Sequence, residues 1–343
     1  MKKHANTLFV TTQKSYLAKD GTNLVIRHEG KVLFRTPIHT IGAVVCFGNV
    51  GCSPFLMGFC GEQGVSIAFL TERGRFLARI QGRQSGNVRL RRAQHNATSD
   101  PIVSSVVAQN LVAAKIANQR VALQRMLRDH AQKVNSELLS AAIAKLSRLI
   151  EEIGQGLPVE RVRGVEGDAA RTYFSVFNEM ILGDKETFRF NERTRRPPRD
   201  PINALLSFLY VILSNDLINA CETVGLDPQM GFLHADRPGR ASLALDLVEE
   251  FRAFLADRLA LSLINRRQLT AKDFETKESG AVFMKDAARK KILIAYQKRK
   301  TEEITHPFLD EKVTIGNLPI VQAMLLSRWL RGDLDAYPPY LWR

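Results

Sequence analysis

The sequence predicts an α+β chain of two domains, a β-rich, sandwich-like domain followed by a larger all-α domain. Three observations carry this. Short apolar runs separated by turn residues fill residues 1 to about 85. Beyond Asp100-Pro101, apolar residues recur at helical spacing with few turn signals. At 343 residues the chain is long enough for two hydrophobic cores. The expected bounds are 1–84 for the β-rich domain, 85–100 for a polar, glycine-containing linker, and 101–343 for the helical domain.

In the first domain, Leu8–Thr12 reads as a strand, and NLVIR-HEGK-VLFRTPI reads as a hairpin with Glu29-Gly30 at its turn. Thr40–Gly48 has the unbroken apolar character of a buried strand. Ser53 and Pro54 announce a short helix, as N-cap and first helical residue, and Gly61 or Gly64 ends it. Val65–Leu70 and Arg75–Ile80 form a second hairpin about the Glu72–Gly74 turn. In the second domain, helices are expected over 102–154, 166–182, 201–224, 242–263, 284–301 and 319–330.

The net charge is +14 and lopsided: residues 1–99 hold 14 Lys and Arg against 4 Asp and Glu. A polyanionic partner, nucleic acid ahead of membrane, fits that asymmetry. Arg73, Arg75, Arg79, Arg83, Arg89, Arg91 and Arg92 follow one another with no acid until Asp100, the pattern of an exposed phosphate- or partner-binding band. No apolar run is read as reaching the length of a membrane span, and the N-terminus lacks the apolar core of a signal peptide. Cys46, Cys52, Cys60 and Cys221 have no metal-finger spacing and read as buried thiols of a cytoplasmic protein. No P-loop, GxGxxG turn or nucleophile elbow is present.

Three stretches are unlike ordinary bundle sequence. The first is RVRGVEGDAARTYFSVF, where Gly164, Gly167, Ala169 and Ala170 clear space around Glu166. The alternative is a tight helix–helix contact, with Glu166 an ordinary first-turn acid. The second is RTRRPPRDPINALLSFLY, where Arg193, Arg195, Arg196 and Arg199 precede a helix begun by Asp200-Pro201 and carrying Asn203, Ser207 and Tyr210 at helical spacing. It reads as a phosphate-gripping loop, or else as an exposed loop before a capped core helix. The third is GFLHADRPGRASLALDLVEEFR, in which Ser242 fits an N-cap and Asp246, Glu249 and Glu250 crowd beside the apolar stripe of Leu243, Leu247 and Phe251. His234 and those carboxylates form a mixed N/O set suited to magnesium or manganese. A solvated acidic face is the alternative.

In that order, RGVEGxAAxxYF, RRPPRDPINALLSFLY and GFLHxxRPGRxSLALDLVEEFR resemble the CRISPR-associated adaptation integrase, the universal spacer-acquisition endonuclease. The resemblance extends over nearly the whole chain, and the C-terminal YPPYLWR is most like the type I-C version. It implies a metal-dependent DNA endonuclease and integrase that inserts spacers into a CRISPR array. It implies Mg²⁺ or Mn²⁺ held by Glu166, His234 and Glu249 of the helical, catalytic domain, with Asp246 as an assisting metal or DNA contact. The expected partners are double-stranded DNA, a second copy of the chain through the β-rich domain, the small ferredoxin-like second adaptation protein, and a RecB-like exonuclease. DNA backbone contacts are assigned to Arg193, Arg195, Arg196, Arg199, Asn203, Ser207 and Tyr210, and to Lys285, Arg289, Lys290 and Lys291. Two other readings stand beside this one. They are a stand-alone nuclease of repair or recombination, and a non-catalytic nucleic-acid scaffold whose acids balance Arg161, Arg163 and Arg252.

Overall fold

The structure, a computed structural model, describes residues 6–82, 88–154 and 156–342. They fall into two compact units, one from 6–82, 289–305 and 311–318, the other from 88–154, 156–288, 306–310 and 319–342.

The first unit contains two four-stranded sheets. One has the order β1 (Thr7–Val10), β5 (Ala43–Phe47), β7 (Ser66–Leu70) and β8 (Phe76–Ile80); β5 is parallel to both neighbours and β8 is antiparallel to β7. The other has the order β4 (Lys31–Pro37), β3 (Asn23–His28), β2 (Ser15–Asp20) and β6 (Val50–Cys52), with β6 parallel to β2. Parallel pairing on both sides explains why β5 is buried at every position and reads AVVCF rather than alternating. The hairpin turn falls where expected, with Glu29 and Gly30 at φ 49° and 76°. Helix α1 (Pro54–Glu62) is capped by Ser53, whose Oγ accepts from the Leu56 amide at 3.2 Å. Val10, Leu17, Leu24, Val44 and Ile67 share one core with Leu56 and Cys60 of α1, so both sheets pack onto it. Strands β2 and β6 escape sequence reading because SYLAKD is half polar and VGC is too short for any period.

The second unit is built on helices α2 (Val88–Ser99), α3 (Pro101–His130), α4 (Ser136–Ile153), α5 (Val159–Ser175), α6 (Pro201–Val224), α7 (Ser242–Val248) and α8 (Arg258–Asn265). Asp100 caps α3, its Oδ1 accepting from Ile102 and Val103, and α4 and α5 pack along α3. Helix α6 runs from the Asp200 cap to Gly225, which takes the left-handed conformation at φ 87°. By length and composition α6 is apolar enough to cross a membrane, contrary to the expectation that no run reaches that length. Ile202, Leu205, Leu206, Leu209 and Leu213 are buried inside the unit, as in the core helix of a bundle. Helix α9 (Asp286–Lys300) lies mostly in the first unit, where Lys300 Nζ donates to Thr7 Oγ1 at 3.0 Å, and α10 (Leu318–Leu330) lies in the second.

Several expectations are corrected. The segment expected as a linker contains α2, which belongs to the helical unit because Leu90 and Gln94 are buried there. The all-α region holds two short hairpins, β9 (Phe274–Thr276) with β10 (Val282–Met284), and β11 (Glu303–Thr305) with β12 (Lys312–Thr314). The arginine band is divided between the units, Arg83 lies outside the described residues, and Arg91 Nε donates to the Gly225 carbonyl at the end of α6. The helix expected from 242 to 263 is interrupted by a π-helical stretch at Arg252–Asp257, which no Pro or Gly announces. Ser242 is not its N-cap: Ala241 holds that place, and Ser242 Oγ donates to the Ala235 carbonyl.

The chain ends by docking into the helical unit. Glu250 accepts hydrogen bonds from Tyr337 Oη (2.5 Å), the Tyr340 amide (2.7 Å) and Gln322 Nε2 (2.9 Å). Asn118 donates to the Glu250 and Tyr340 carbonyls and accepts from the Trp342 amide. The Tyr340 ring stacks on Phe251, and Trp342 meets Phe254 edge-on. Burial pushes the Glu250 carboxyl up to about 7, against the lowering effect of its three donors. An acid raised in the folded state gives stability that is full below its ordinary value of 4.5 and is lost as pH rises through about 7. Urea-unfolding free energies of the wild type are therefore expected to lose roughly 3 kcal/mol from this group over that window, and Glu250→Gln is expected to remove that part of the pH dependence.

Candidate active site

His234 sits in the loop between α6 and α7, and that loop is held from three directions. Gln94 of α2 donates to the Asp227 and Met230 carbonyls and accepts from the Asp227 amide. Arg163 of α5 donates from Nε to the Leu233 carbonyl at 2.5 Å. Asp246 of α7 is fully buried and accepts the amides of Phe232 (2.6 Å), Leu233 (3.0 Å) and His234 (2.9 Å). Gly231 permits this close approach, since a Cβ there would stand 2.7 Å from Asp246 Oδ2.

Asp246 Oδ1 also lies 2.7 Å from His234 Nδ1. The other ring nitrogen, Nε2, faces Glu249, whose Oε1 is 3.9 Å away. Both Asp246 oxygens are thereby occupied within the protein. On this geometry Asp246 holds the histidine loop in place.

Glu166 lies in the middle of α5, not in a first turn, because the helix begins at Val159. A Cβ added at Gly164 would meet nothing within 4 Å, and one at Gly167 only Arg171 Nη1 at 4.0 Å, so no helix packs tightly there. That leaves Glu166 partly exposed beside open surface. Across from it, Glu249 is 3% exposed at the end of α7. Between the two stands Lys115 of α3, also 3% exposed. Its Nζ pairs with Glu166 Oε1 and lies 2.6 Å from Glu249 Oε2, the latter an ion-pair contact outside hydrogen-bond geometry. Arg252 Nη2 takes Glu249 Oε1 at 2.9 Å. Burial alone would raise the Glu249 carboxyl, but Arg252, Lys115 and His234 outweigh it and hold it below its ordinary value, so it stays ionised.

The structure thus links Glu166 to Glu249 through Lys115 and sets His234 beside Glu249. Among the described residues no three His, Cys, Asp or Glu side chains are already closed into metal-holding geometry. The donor set nevertheless fits a divalent cation. It offers two carboxylates and an imidazole nitrogen whose ring is held by the Asp246 carboxylate.

The expected DNA-contact set divides. Asn203 is fully buried, accepting from Arg193 Nη1 (2.6 Å) and the Thr194 amide (3.0 Å) and donating to the Glu192 carbonyl (2.7 Å). Ser207 receives Arg193 Nη2 at 3.2 Å, and Tyr210 donates to Asp257 Oδ1 at 2.6 Å. The Tyr210 ring lies between the guanidiniums of Arg193 (5.3 Å) and Arg252 (4.7 Å), so this group braces the arginine that holds Glu249. Arg193, Asn203, Ser207 and Tyr210 are corrected from DNA contacts to that internal network. Arg195, Arg196, Arg199 and Lys285 are exposed in the helical unit. Arg289, Lys290 and Lys291 belong to the other unit, with Arg289 partly buried.

The family described as CRISPR associated protein Cas1 matches residues 8–298 of this sequence. The chain belongs to the Cas1 family. CRISPR-associated endonuclease Cas1 1 of Chlorobaculum tepidum is 52% identical over the whole of both chains, and CRISPR-associated endonuclease Cas1 2 of Rhodospirillum rubrum is 50% identical over the whole of both. A CRISPR-associated exonuclease Cas4/endonuclease Cas1 fusion of Geobacter sulfurreducens is 34% identical across 98% of this chain and 60% of the fusion. Among solved structures, a CAS1 protein from Thermotoga maritima superposes with TM-score 0.80 at 22% identity, covering 95% of this chain and 97% of that one. A casposase bound to integration product gives 0.84 at 21% identity, covering 98% and 94%. A chain of a Cas6-RT-Cas1–Cas2 complex gives 0.83 at 22% identity, covering 99% of this chain and 36% of that one. At these identities the structural likeness is one of fold, and the Cas1 fold is the two-part architecture described above.

Neither Lys115 nor Gln94 was found from the sequence. Lys115 left one trace, a lone charge in the apolar run LVAAKIA (Leu111–Ala117). Gln94 left none, being one polar residue in a polar stretch. Asp246→Ala is expected to strand three backbone amides and loosen His234, costing at least about 3 kcal/mol in urea unfolding. Asp246→Asn, which keeps one acceptor oxygen, is expected to lose less.

Proposed function

We propose that this Cas1-family chain is a metal-dependent DNA endonuclease and integrase that joins new spacers to a CRISPR repeat. The observation carrying the reading is that Glu249 is shared between Lys115, which also holds Glu166, and the neighbouring His234, with His234 and Glu249 each braced by further residues. Glu166, His234 and Glu249 would hold Mg²⁺ or Mn²⁺. Such an ion supplies charge neutralisation at a phosphoryl oxygen and lowers the pKa of a bound hydroxyl. The protein's own residues do the rest. Asp246 orients the His234 ring and turns Nε2 toward Glu249. Arg252, braced against Tyr210, keeps Glu249 ionised in a buried position. Glu166 remains partly exposed, on the side from which a DNA strand can reach the site.

With a DNA 3′-OH as nucleophile the reaction is transesterification into the repeat; with water it is phosphodiester hydrolysis. The casposase's integration product supports the first for this fold, and the names of the endonuclease relatives support the second. The exposed Arg195, Arg196, Arg199 and Lys285, with Lys290 and Lys291 of the other unit, support backbone contacts to double-stranded DNA. The Cas1–Cas2 complex supports assembly with the small second adaptation protein, and the Cas4/Cas1 fusion supports an exonuclease partner. A homodimer through the β-rich unit is supported by β4, an edge strand that leaves Val32, Leu33 and Phe34 about half exposed.

The test is strand transfer. A short duplex with free 3′-OH ends, a supercoiled repeat plasmid, Mg²⁺ or Mn²⁺ and the second adaptation protein are combined. Wild type is expected to form joined product that chelator abolishes. Glu166→Ala, His234→Ala and Glu249→Ala are each expected to reduce joining by about 100-fold or more. Nicking without joining would favour the stand-alone nuclease, and variants that join like wild type would refute the site.

A further inference from the structure

Lys115 is a buried cation in contact with two of the three residues assigned to the site. Its Nζ touches Glu166 Oε1 and Glu249 Oε2 together, the place where a shared cation neutralises both acids. Arg252 already neutralises Glu249 from its other oxygen, and Asp246 is paired with His234. Two carboxylates, Glu166 and Glu249, therefore face two positive charges, Lys115 and Arg252. A divalent ion shared by those carboxylates would meet an ammonium at contact distance, and like charges so close in a buried site repel strongly.

We infer that Lys115 is a resident placeholder cation, holding Glu166 and Glu249 together in the metal-free protein and yielding them to the divalent ion. This rests on the metal-dependent reading of the site. Lys115 thereby sets the affinity for metal in two opposed ways. It keeps the acids assembled and ionised, and it competes for their oxygens. The competition dominates, because Glu249 keeps Arg252 on its other oxygen and its place at the end of α7 without Lys115. Lysine suits the role: its single-point charge sits on a flexible four-carbon stem that can withdraw along α3, where a planar, forked guanidinium would stay engaged.

The test uses the full-length, DNA-free protein titrated with MnCl₂ by calorimetry, alongside thermal melts with and without Mn²⁺. Lys115→Met and Lys115→Gln are expected to bind Mn²⁺ roughly ten-fold or more tightly than wild type. Their metal-free forms are expected to melt lower, and Mn²⁺ is expected to raise their Tm by more than it raises that of wild type. Lys115→Arg, which keeps the charge, is expected to bind no more tightly than wild type. Equal or weaker Mn²⁺ binding by the neutral variants overturns the inference, since a merely structural lysine would lower affinity on removal or leave it unchanged. If neither neutral variant folds without metal, refolding in Mn²⁺ decides: recovery supports displacement of the lysine and failure overturns it. If wild type takes up no Mn²⁺, and Glu166→Ala behaves identically, the metal-dependent reading itself falls, a result distinct from failure of the role given to Lys115.

Discussion

Between Asp246 and Asp257 the chain buries four carboxylates, those of Asp246, Glu249, Glu250 and Asp257. Removing a carboxylate from water is costly unless donors or cations replace its hydration. Much of the helical unit is arranged to supply them. Backbone amides and His234 answer Asp246, Lys115 and Arg252 answer Glu249, and Tyr337, Tyr340 and Gln322 answer Glu250. Tyr210 answers Asp257. The donors come from α3, α6, α10, the histidine loop and the C-terminal segment, so satisfying this one stretch ties distant parts of the sequence together.

Neighbouring acids are driven to opposite states by the kind of partner each receives. Glu249 meets cations, which overcome burial and keep it ionised. Glu250, the next residue, meets only neutral donors, and burial raises it to about 7. Asp257 follows Glu250: burial pushes it up to about 6 although Tyr210 and Arg252 oppose the rise. Only an ionised carboxylate serves as a ligand or a counter-charge, and of the two neighbours the cationic partners keep Glu249 in that state. Its equally buried neighbour is a structural anchor.

How much of this the sequence carries depends on whether a feature is local. The Glu29-Gly30 hairpin, the Ser53 and Asp200 caps and the buried β5 are local, and periodicity and turn chemistry announce them. The Cas1 family was legible through long, ordered motifs, and Glu166, His234 and Glu249 were singled out within them. The partition of EE into one ionised and one structural acid was not legible, because i and i+1 on a helix differ only in what lies across from them. The same holds for Asn203, Ser207 and Tyr210, whose helical spacing suits an outward polar face as well as the inward brace they form. At the π-helical stretch Arg252–Asp257, Phe254 and the preceding Phe251 pack against Tyr340, a residue far along the chain.

That packing also links the end of the chain to the site. Glu249 and Glu250 occupy one turn, the first held by Lys115 and Arg252 and the second by the Tyr337–Trp342 segment. Asn118 lies one turn beyond Lys115 on α3, and it ties the Glu250 carbonyl to Tyr340 and Trp342. Helix α3 therefore presents a cation to the functional face of this turn and an amide to its structural face. The turn is clamped from both sides, so Glu249 can hold a charge in a buried place without the backbone yielding to relieve it. A carboxylate fixed in this way has little freedom to relax, and its ligand chemistry is set by which cation reaches it.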